Sequence, residues 1–327
     1  MKTILIPDRS TEALIEKSVL GSGYKILLMN ASNTSEISDE TWASCDGMLC
    51  WHDLVYSEKV ISKLKNCKGM VRVGTGYDNI DLSAAKKMGI TVSNVPDYGT
   101  NDVADHTLAI ILAHERGILK YNNSLASNAP WSWELGANLE RIQDRTAGII
   151  GLGRIGKAVA HRLKSFGMKV IFYDPYVSIG TEKSLMLDRS HTLKDLLSES
   201  DIITIHTPLT SQTRGMINYK FISQMKDRSS LYNTARGEII VMDDLYRAMK
   251  ENKLKFVGLD VLEKEPLDYS HEMIKAWSKG DDWIKDRLIL TPHAAFYNIE
   301  SFQEMKRKAA EELKRILENK PALNKVN

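Results

Sequence analysis

The chain has only three cysteines, almost no net charge and no long apolar run. Cys45, Cys50 and Cys67 are odd in number and lack metal-ligand spacing, so we expect reduced thiols, a cytoplasmic location and no bound metal. The formal charge of +2 mixes both signs along the chain, which argues against a nucleic-acid-binding surface. No apolar stretch approaches the ~20 residues of a membrane-spanning helix, so no membrane association is expected.

Length and composition favour an ordinary two-domain protein. The 327 residues exceed the ~250–300 at which a single hydrophobic core usually stops growing. Hydrophobic residues make up 43% of the chain and charged residues 26%, which is enough to bury sizeable cores. Residues 1–8 become charged too soon for a signal peptide and instead predict a first strand.

The most informative stretch reads Gly151-Leu152-Gly153-Arg154-Ile155-Gly156. An apolar run over 146–150 predicts a buried parallel strand before it, and apolar residues at helical spacing follow over 157–166. A second apolar run, 169–173, ends in Asp174, which is placed to accept hydrogen bonds from a ribose diol. This acid would repel a 2′-phosphate, so the pattern predicts NAD rather than NADP.

Each glycine of this stretch has a physical role in the predicted site. Gly151 permits the tight turn, Gly153 lets the backbone approach a pyrophosphate, and Gly156 allows close packing of helix on strand. The helix N-terminus at Arg154 and Ile155 would direct its N–H groups and positive dipole end at the phosphates. A glycine turn without a ligand is the alternative, but strand, glycines, helix, strand and acid together are typical of a dinucleotide-binding unit.

Strand and helix patterns alternate along the rest of the chain. Before the glycine stretch, strands are predicted at 3–7, 24–29, 47–51, 70–73 and 91–95, with helical segments such as 58–65 and 82–88 between them. After it, strands are predicted at 202–206, 230–233, 257–261 and 288–290, separated by helical segments near 193–197, 221–225 and 243–251. Residues 301–318 predict an amphipathic helix with Met305, Ala309, Leu313 and Ile316 on one face. We expect the lysines of this helix, Lys306 among them, to be solvated.

Several motifs, in order, resemble those of the D-isomer-specific 2-hydroxyacid dehydrogenase family over essentially the full length. Besides the glycine stretch they are GTGYDNID at 74–81, NVP at 94–96, HTPLT at 206–210, NTARG at 233–237, LDV at 259–261 and TPHAA at 291–295. Residues 174–176 and 293–297 are most similar to the C-terminal-binding-protein corepressors, which also bind NAD. The resemblance implies a Rossmann NAD-binding domain (101–295) inserted into a smaller flavodoxin-like substrate domain (1–100 and 296–327). Both domains are expected to be doubly wound α/β structures.

The chemistry of a 2-oxo acid assigns roles to three residues. Arg236 offers a permanently charged fork for the substrate carboxylate. Hydride arrival places negative charge on the carbonyl oxygen, and His293, after a short apolar strand, is the best candidate for the proton donor. The family carries a carboxylate beside this imidazole at Glu265, which would favour the charged imidazole. Glu263 is a nearby alternative, but the spacing from Asp260 favours Glu265.

The resemblance also assigns further site residues. Along the dinucleotide it implies Thr207, Thr213, Thr234 and Asp260. For the substrate it implies pocket walls made by Trp51, His52, Tyr98 and Phe296, and a turn at Thr75 and Gly76 whose N–H groups hold a carboxylate. Each of these substrate residues could instead be an ordinary core or turn residue. His206 is interpreted as a core histidine at a strand end.

We therefore predict an NAD-dependent oxidoreductase that interconverts a small 2-oxo acid and its D-2-hydroxy acid. The resemblance implies a homodimer that pairs through the NAD-binding domain, with Trp131 or Trp133 at the contact. An NAD-sensing dimeric regulatory protein of the corepressor kind is one alternative. D-3-phosphoglycerate dehydrogenase is another, although it needs cations near the pocket and the sequence has no clear cluster of them. No chemistry follows from the insertion at 268–283.

Overall fold

Two all-parallel sheets, of five and seven strands, organise the part of the chain described by a computed structural model, residues 1–8, 10, 12–136 and 138–327. The first sheet lies in unit 1, residues 1–99 and 297–327, and the second in unit 2, residues 100–296. These two parallel α/β units confirm the predicted fold class. Which unit serves substrate and which serves cofactor stays a prediction. No helix among the described residues is long and apolar enough to cross a membrane.

The strands of unit 1 are β1 Lys2–Ile6, β2 Tyr24–Leu28, β3 Gly47–Cys50, β4 Gly69–Arg72 and β5 Thr91–Ser93. Those of unit 2 are β6 Thr146–Ile150, β7 Lys169–Tyr173, β8 Asp188–Arg189, β9 Ile202–Ile205, β10 Ser229–Asn233, β11 Leu254–Leu259 and β12 Leu288–Leu290. The helices are α1 Leu14–Leu20, α2 Asp39–Ser44, α3 Glu58–Ile61, α4 Leu82–Lys87, α5 Thr100–Glu115, α6 Ile118–Ala126, α7 Arg154–Ser165, α8 Thr181–Leu185, α9 Leu193–Glu199, α10 Tyr219–Ser223, α11 Met242–Lys250, α12 Glu272–Lys279 and α13 Ile299–Leu317. Short 3₁₀ turns occur at Thr34–Glu36, Trp133–Gly136, Ile142–Asp144 and Gly237–Ile239.

Strand order identifies where each sheet can bind a ligand. The order is β2-β1-β3-β4-β5 in unit 1 and β12-β11-β10-β9-β6-β7-β8 in unit 2. These are the flavodoxin-like and Rossmann arrangements, the latter with one more strand at its edge. The order reverses between β1 and β3 and between β6 and β9. Open parallel sheets of this kind bind ligands outside the carboxyl ends of the strands at such a point.

Helix α13 packs closely on the sheet of unit 1 through two glycines. A Cβ at Gly47 would lie 2.9 Å from a methyl of Leu313, and one at Gly69 would lie 2.7 Å from a methyl of Ile316. The predicted apolar face of this helix is buried, which confirms its amphipathic pattern. The absence of side chains at the two strand positions therefore lets the helix sit directly on β3 and β4.

The prediction of solvated lysines on α13 is wrong for Lys306. Its side chain is only 3% exposed, and its ammonium lies 3.4 Å from the carboxylate of Glu16 on α1. Burial raises the pKa of Glu16. Helical periodicity groups Lys306 with the exposed residues, but α1 covers this position, and a buried cation needs the carboxylate as its partner.

The insertion at 268–283 folds onto unit 2. Helix α12 buries Met273 and Ile274 in the same core cluster that includes residues of β9, β10 and β11. His271 Nε2, just before this helix, lies 3.2 Å from a carboxylate oxygen of Asp243 on α11. The ring of Trp283 packs edge-on against Tyr246, with ring centroids 5.8 Å apart. The insertion is therefore anchored by packing on α11 and its neighbours.

His114, on α5, is a buried neutral histidine. Its side chain is 1% exposed and stacks on Phe256, with ring centroids 4.7 Å apart and an interplanar angle of 4°. Burial lowers the pKa of His114 to about 3. The folded pKa lies below the unfolded value, so stability is intact above pH ~6.5 and falls as the pH drops toward 3.

We expect His114→Phe to reduce the acid sensitivity of unit 2. An unfolded histidine gains a proton at pH ~5 that the buried one cannot hold, which costs roughly 2 kcal/mol of folding free energy. Urea unfolding at pH ~7.5 and ~5 should therefore differ less in this variant than in the unmodified protein. Because the free energies of unfolding of one variant are compared at the two pH values, any effect of the ring on packing cancels. The exposed His161 serves as the control position, and an equal change in His161→Phe would contradict the prediction.

Candidate active site

The glycine loop follows β6 and has the geometry of a phosphate-binding turn. Gly151 has φ of +92°, and its amide donates to the carbonyl of Tyr173 at 3.0 Å. A Cβ at Gly151 would lie 2.8 Å from the backbone of His206. One at Gly156 would lie 2.1 Å from the carbonyl oxygen of Gly151. Only glycine therefore fits at these two positions.

Gly153 differs because open space surrounds it. Apart from its adjacent chain segment, no atom of the described residues lies within 4 Å of a Cβ placed there, and it precedes α7 without a side-chain capping bond. The first N–H groups of a helix lack partners within the helix, and here no capping side chain covers them. The nearby Thr207 has a buried hydroxyl without a hydrogen-bond partner among the described residues. These features fit a dinucleotide pyrophosphate.

Asp174 follows β7 and closes the glycine loop. One carboxylate oxygen accepts the amide of Leu152 at 2.8 Å, and the other accepts the amide of Tyr176 at 2.9 Å. A carboxylate has about four acceptor sites, so both oxygens can still accept ribose hydroxyls. The half-buried side chain is held in one orientation by these bonds.

His206 directly follows β9, where it is half-buried and hydrogen-bonded rather than part of the core. Its Nε2 lies 2.9 Å from the hydroxyl of Thr204, and burial lowers the pKa of His206 to about 3. The imidazole is therefore neutral at physiological pH.

Two of the threonines assigned to the dinucleotide bond to the protein itself. The hydroxyl of Thr213 donates to the carbonyl of Pro208 at 2.7 Å and so stabilises its own turn. The hydroxyl of Thr234 lies 2.9 Å from that of Thr107 on α5. Their contact with a dinucleotide stays a prediction.

His293 lies in an unusual turn after β12. Its φ is +53°, in the left-handed region, which non-glycine residues rarely adopt. Asp260, which follows β11, holds this turn: its backbone carbonyl accepts the amide of His293 at 2.7 Å. The carboxylate of Asp260 accepts the amides of Ala294 and Ala295 at 2.8 and 3.0 Å.

Glu265, and not Glu263, contacts the imidazole. Oε2 of Glu265 lies 2.8 Å from Nδ1 of His293, while Oε1 accepts the amide of Leu262 at 3.0 Å. Glu263 instead accepts the amide of Met242, at the start of α11. The carboxylate at Nδ1 fixes the orientation of the ring.

Arg236 lies on the loop after β10, which packs on the Glu265 loop. A Cβ at Gly237 would lie 1.9 Å from the carbonyl group of Leu262, so the two loops touch through backbone. The guanidinium Nη1 of Arg236 donates to the carbonyl of Ala235 at 2.8 Å. The ring of Phe296 lies edge-on to His293, with ring centroids 6.4 Å apart.

The carboxyl ends of the strands of unit 2 gather the predicted residues. The glycine loop, Asp174, Thr207, Arg236, Asp260 and His293 follow β6, β7, β9, β10, β11 and β12 respectively. Because all these strands are parallel, the residues share one edge of the sheet. The edge therefore combines a phosphate-binding turn, a guanidinium and a carboxylate–imidazole pair.

Five predicted substrate residues belong to unit 1, again after strand ends. They are Trp51 and His52 after β3, Thr75 and Gly76 after β4, and Tyr98 after β5. The ring of Trp51 packs near that of Phe302, with centroids 5.5 Å apart. The hydroxyl of Thr75 donates to the carbonyl of Val95 at 3.3 Å. Their roles in substrate binding stay predictions.

Two polar residues beside the His293 turn were not among the predicted site residues. His106 lies on α5, and its Nε2 is 2.9 Å from the hydroxyl of Thr291. Thr291 immediately precedes Pro292 and His293 in the TPHAA motif. No local pattern indicates His106, because its partner is distant in sequence.

Fold and site together define a Rossmann protein that binds NAD. The model of the family described as D-isomer specific 2-hydroxyacid dehydrogenase, NAD binding domain, matches residues 108–295. The chain belongs to this family.

Three proteins similar to this chain illustrate the range of activities named in the family. A protein of Methanocaldococcus jannaschii named D-3-phosphoglycerate dehydrogenase is 36% identical over 269 residues, which cover 82% of this chain and 49% of that relative. The chain thus spans about half the length of the curated relatives it matches. A D-lactate dehydrogenase of Aquifex aeolicus, solved with NAD and lactic acid, has a TM-score of 0.87 at 28% identity and covers 99% of each chain. A glyoxylate reductase of Paecilomyes thermophila has a TM-score of 0.86 at 25% identity, covering 99% of this chain and 98% of that one. The finer similarity to the corepressor branch stays a prediction.

Substitution of Gly153 separates cofactor binding from folding. A methyl group in the open space at Gly153 should clash with a bound pyrophosphate at a cost of about 1–3 kcal/mol of binding free energy. Gly153→Ala should therefore weaken NADH binding roughly tenfold or more. Its φ of −72° suits alanine, so the melting temperature should stay near that of the unmodified protein. Fluorescence titration and thermal unfolding measure the two effects.

Gly23→Ala is the matched control, because open space surrounds Gly23 in unit 1 as well. Unchanged NADH affinity in Gly153→Ala would show that the dinucleotide does not approach this backbone.

Proposed function

We propose that the protein is an NAD-dependent oxidoreductase that interconverts a 2-oxo acid and the corresponding D-2-hydroxy acid. The observation that carries the proposal is the 2.8 Å contact between His293 and Glu265, at the sheet edge that also carries the glycine loop. A carboxylate–imidazole pair beside a nicotinamide site is suited to proton transfer coupled to carbonyl reduction. Membership of the 2-hydroxyacid dehydrogenase family supports the same reaction.

The proposed mechanism divides the work between two side chains. The guanidinium of Arg236 binds the substrate carboxylate in a bidentate fork and orients the neighbouring carbonyl. NADH, when bound, supplies the hydride. His293 gives its Nε2 proton to the carbonyl oxygen during reduction and takes it back during oxidation, while Glu265 stabilises the imidazolium through Nδ1.

Cofactor residues are proposed on the same geometry. Asp174 accepts the adenosine ribose hydroxyls, and the loop at Gly151, Gly153 and Gly156 holds the pyrophosphate. The buried hydroxyl of Thr207, which has no hydrogen-bond partner in the described part of the chain, supports a role along the dinucleotide. A cytoplasmic location is proposed because Cys45, Cys50 and Cys67 are buried free thiols.

D-3-phosphoglycerate dehydrogenase is the second candidate. The observation in its favour is the 36% identity to the relative of that name from M. jannaschii. Its oxo acid carries a phosphate, so the two candidates differ in the substrate tail and share the reacting carbonyl.

A panel of 2-oxo acids assayed with NADH tests both candidates. Glyoxylate, pyruvate, hydroxypyruvate and phosphohydroxypyruvate differ mainly in the group attached to the carbonyl. The highest kcat/KM for phosphohydroxypyruvate would favour the second candidate, and a preference for an unphosphorylated acid would favour the first. Failure to reduce any 2-oxo acid would contradict the proposed activity.

Substitution of Glu265 should slow reduction. A neutral amide offers the imidazole a weaker hydrogen bond than the carboxylate does, so kcat should fall about tenfold in Glu265→Gln while KM changes little. His293→Ala should lose roughly 10²–10⁴-fold in kcat at every pH, because it removes the proton donor. Steady-state kinetics across pH measure both effects.

Glu263→Gln is the matched control, since Glu263 bonds to the start of α11 and its substitution should leave kcat unchanged. A loss of kcat in the control equal to that in Glu265→Gln would argue against the pairing.

We propose a homodimer that pairs through unit 2. Trp131 and Trp133 are 92% and 81% exposed, which is unusual for such large apolar side chains. The hydroxyl of Tyr121 donates to the carbonyl of Trp133 at 2.9 Å and ties this segment to α6. Exposed aromatic rings close together in sequence support a protein–protein contact.

Light scattering after size exclusion should therefore give a dimer for the unmodified protein and a shift toward monomer for Trp131→Ser/Trp133→Ser. Loss of two buried aromatic anchors costs about 2 kcal/mol or more each in typical interfaces, enough to raise the dimer Kd by at least tenfold. Ile179→Ser, at a residue 94% exposed elsewhere in unit 2, should leave the dimer intact. A dimer that resists the double substitution would place the contact elsewhere.

A further inference from the structure

We propose that His106 is a positioning residue for the catalytic His293 and acts on it through Thr291 and Asp260. The inference rests on the proposed function, because it assigns His293 the proton transfer. His106 itself is not proposed to touch substrate or cofactor. Its contribution is to keep the turn that presents the imidazole in one conformation.

A continuous set of hydrogen bonds links the two histidines. The hydroxyl of Thr291 donates to Oδ1 of Asp260 at 2.6 Å. Its single proton is thereby used, so Thr291 accepts from Nε2 of His106, which lies 2.9 Å away. Asp260 in turn accepts three backbone amides of residues 293–295 through its carbonyl and carboxylate oxygens.

The His293 turn needs this support. A φ of +53° is energetically unfavourable for a residue with a side chain, and such a conformation persists only where its surroundings impose it. Asp260 is 2% exposed, so its carboxylate depends on protein donors rather than water. Nε2 of His106 itself lies 3.6 Å from Oδ1 of Asp260. Thr291 thus supplies one of the few side-chain donors to the acid that fixes the turn.

Helix α5 is suited to hold the loops at this edge. His106 bonds to Thr291 at the end of β12, and the next residue, Thr107, lies 2.9 Å from Thr234 at the end of β10. Neighbouring side chains of one helix thus reach the loop that carries His293 and the loop that carries Arg236. The helix is rigid, so it can keep a constant relation between these loops.

The test compares Thr291→Val, Thr291→Ser, His106→Ala and the double variant Thr291→Val/His106→Ala. With the best 2-oxo acid of the panel, kcat should fall about tenfold or more in Thr291→Val and His106→Ala, because small displacements of a catalytic group are costly. KM and the NADH Kd should change less than about twofold, and Thr291→Ser should restore kcat. The double variant should lose no more than the worse single variant, because both act through one connection.

A second measurement does not depend on activity. The rate of modification of His293 by diethyl pyrocarbonate, located by mass spectrometry, should rise several-fold in Thr291→Val and His106→Ala and stay unchanged in Thr291→Ser. His161→Ala, on α7, is the control for replacement of an exposed helical histidine and should match the unmodified protein in both assays. If Thr291→Val fails to fold, His106→Ala carries the same prediction.

The proposal would be overturned if the losses of kcat in the two single variants add up in the double variant, or if the variants change only KM. Failure of Thr291→Ser to restore kcat would also overturn it. If no 2-oxo acid is reduced, the proposed function fails and the modification rate alone decides the role of His106. An unchanged rate in His106→Ala would then overturn it.

Discussion

Parallel pairing of the strands is the constraint on which the site depends. Each parallel strand must be followed by a crossover, so all carboxyl ends of a sheet lie at the same edge. In unit 2 this brings together loops from residues that are far apart in sequence, from the glycine turn after β6 to His293 after β12. The loops then fix each other, as the backbone contact between Gly237 and Leu262 illustrates.

Two kinds of constraint act on the backbone at this edge of the sheet. At the glycine loop, space is the limit: a side chain at Gly156 would collide with the carbonyl of Gly151. At His293, the limit is conformation, since the residue proposed to transfer the proton has a left-handed backbone. A buried carboxylate, Asp260, stabilises this turn by accepting its amides. Strain in the backbone is thus offset by hydrogen bonds to a neighbouring residue.

Sequence patterns predicted the strands except β8, because apolar runs bounded by turn residues are typical of buried parallel strands, whereas β8 is two polar residues long. They did not predict α5: three of its buried positions, Thr107, His114 and Glu115, are polar or charged and interrupt its apolar stripe. The helix predicted over 58–65 is too long, because α3 ends at Ile61. Lys306 was assigned to a solvated surface because periodicity cannot show that a neighbouring helix covers it.

The glycine spacing and the acid after β7 were sufficient to predict a dinucleotide-binding fold, because these features are local and follow from the geometry of one βαβ unit. The family was expected from the resemblance of motifs spread along the chain, and the family model confirmed it. Spacing from Asp260 also favoured Glu265 over Glu263. Only the tertiary structure decided which side chains meet: that Glu265 reaches His293, that Glu263 caps α11, and that His106 bonds to Thr291. Such contacts join residues up to 185 positions apart. No local periodicity encodes them, since they depend on how the sheet aligns its strand ends.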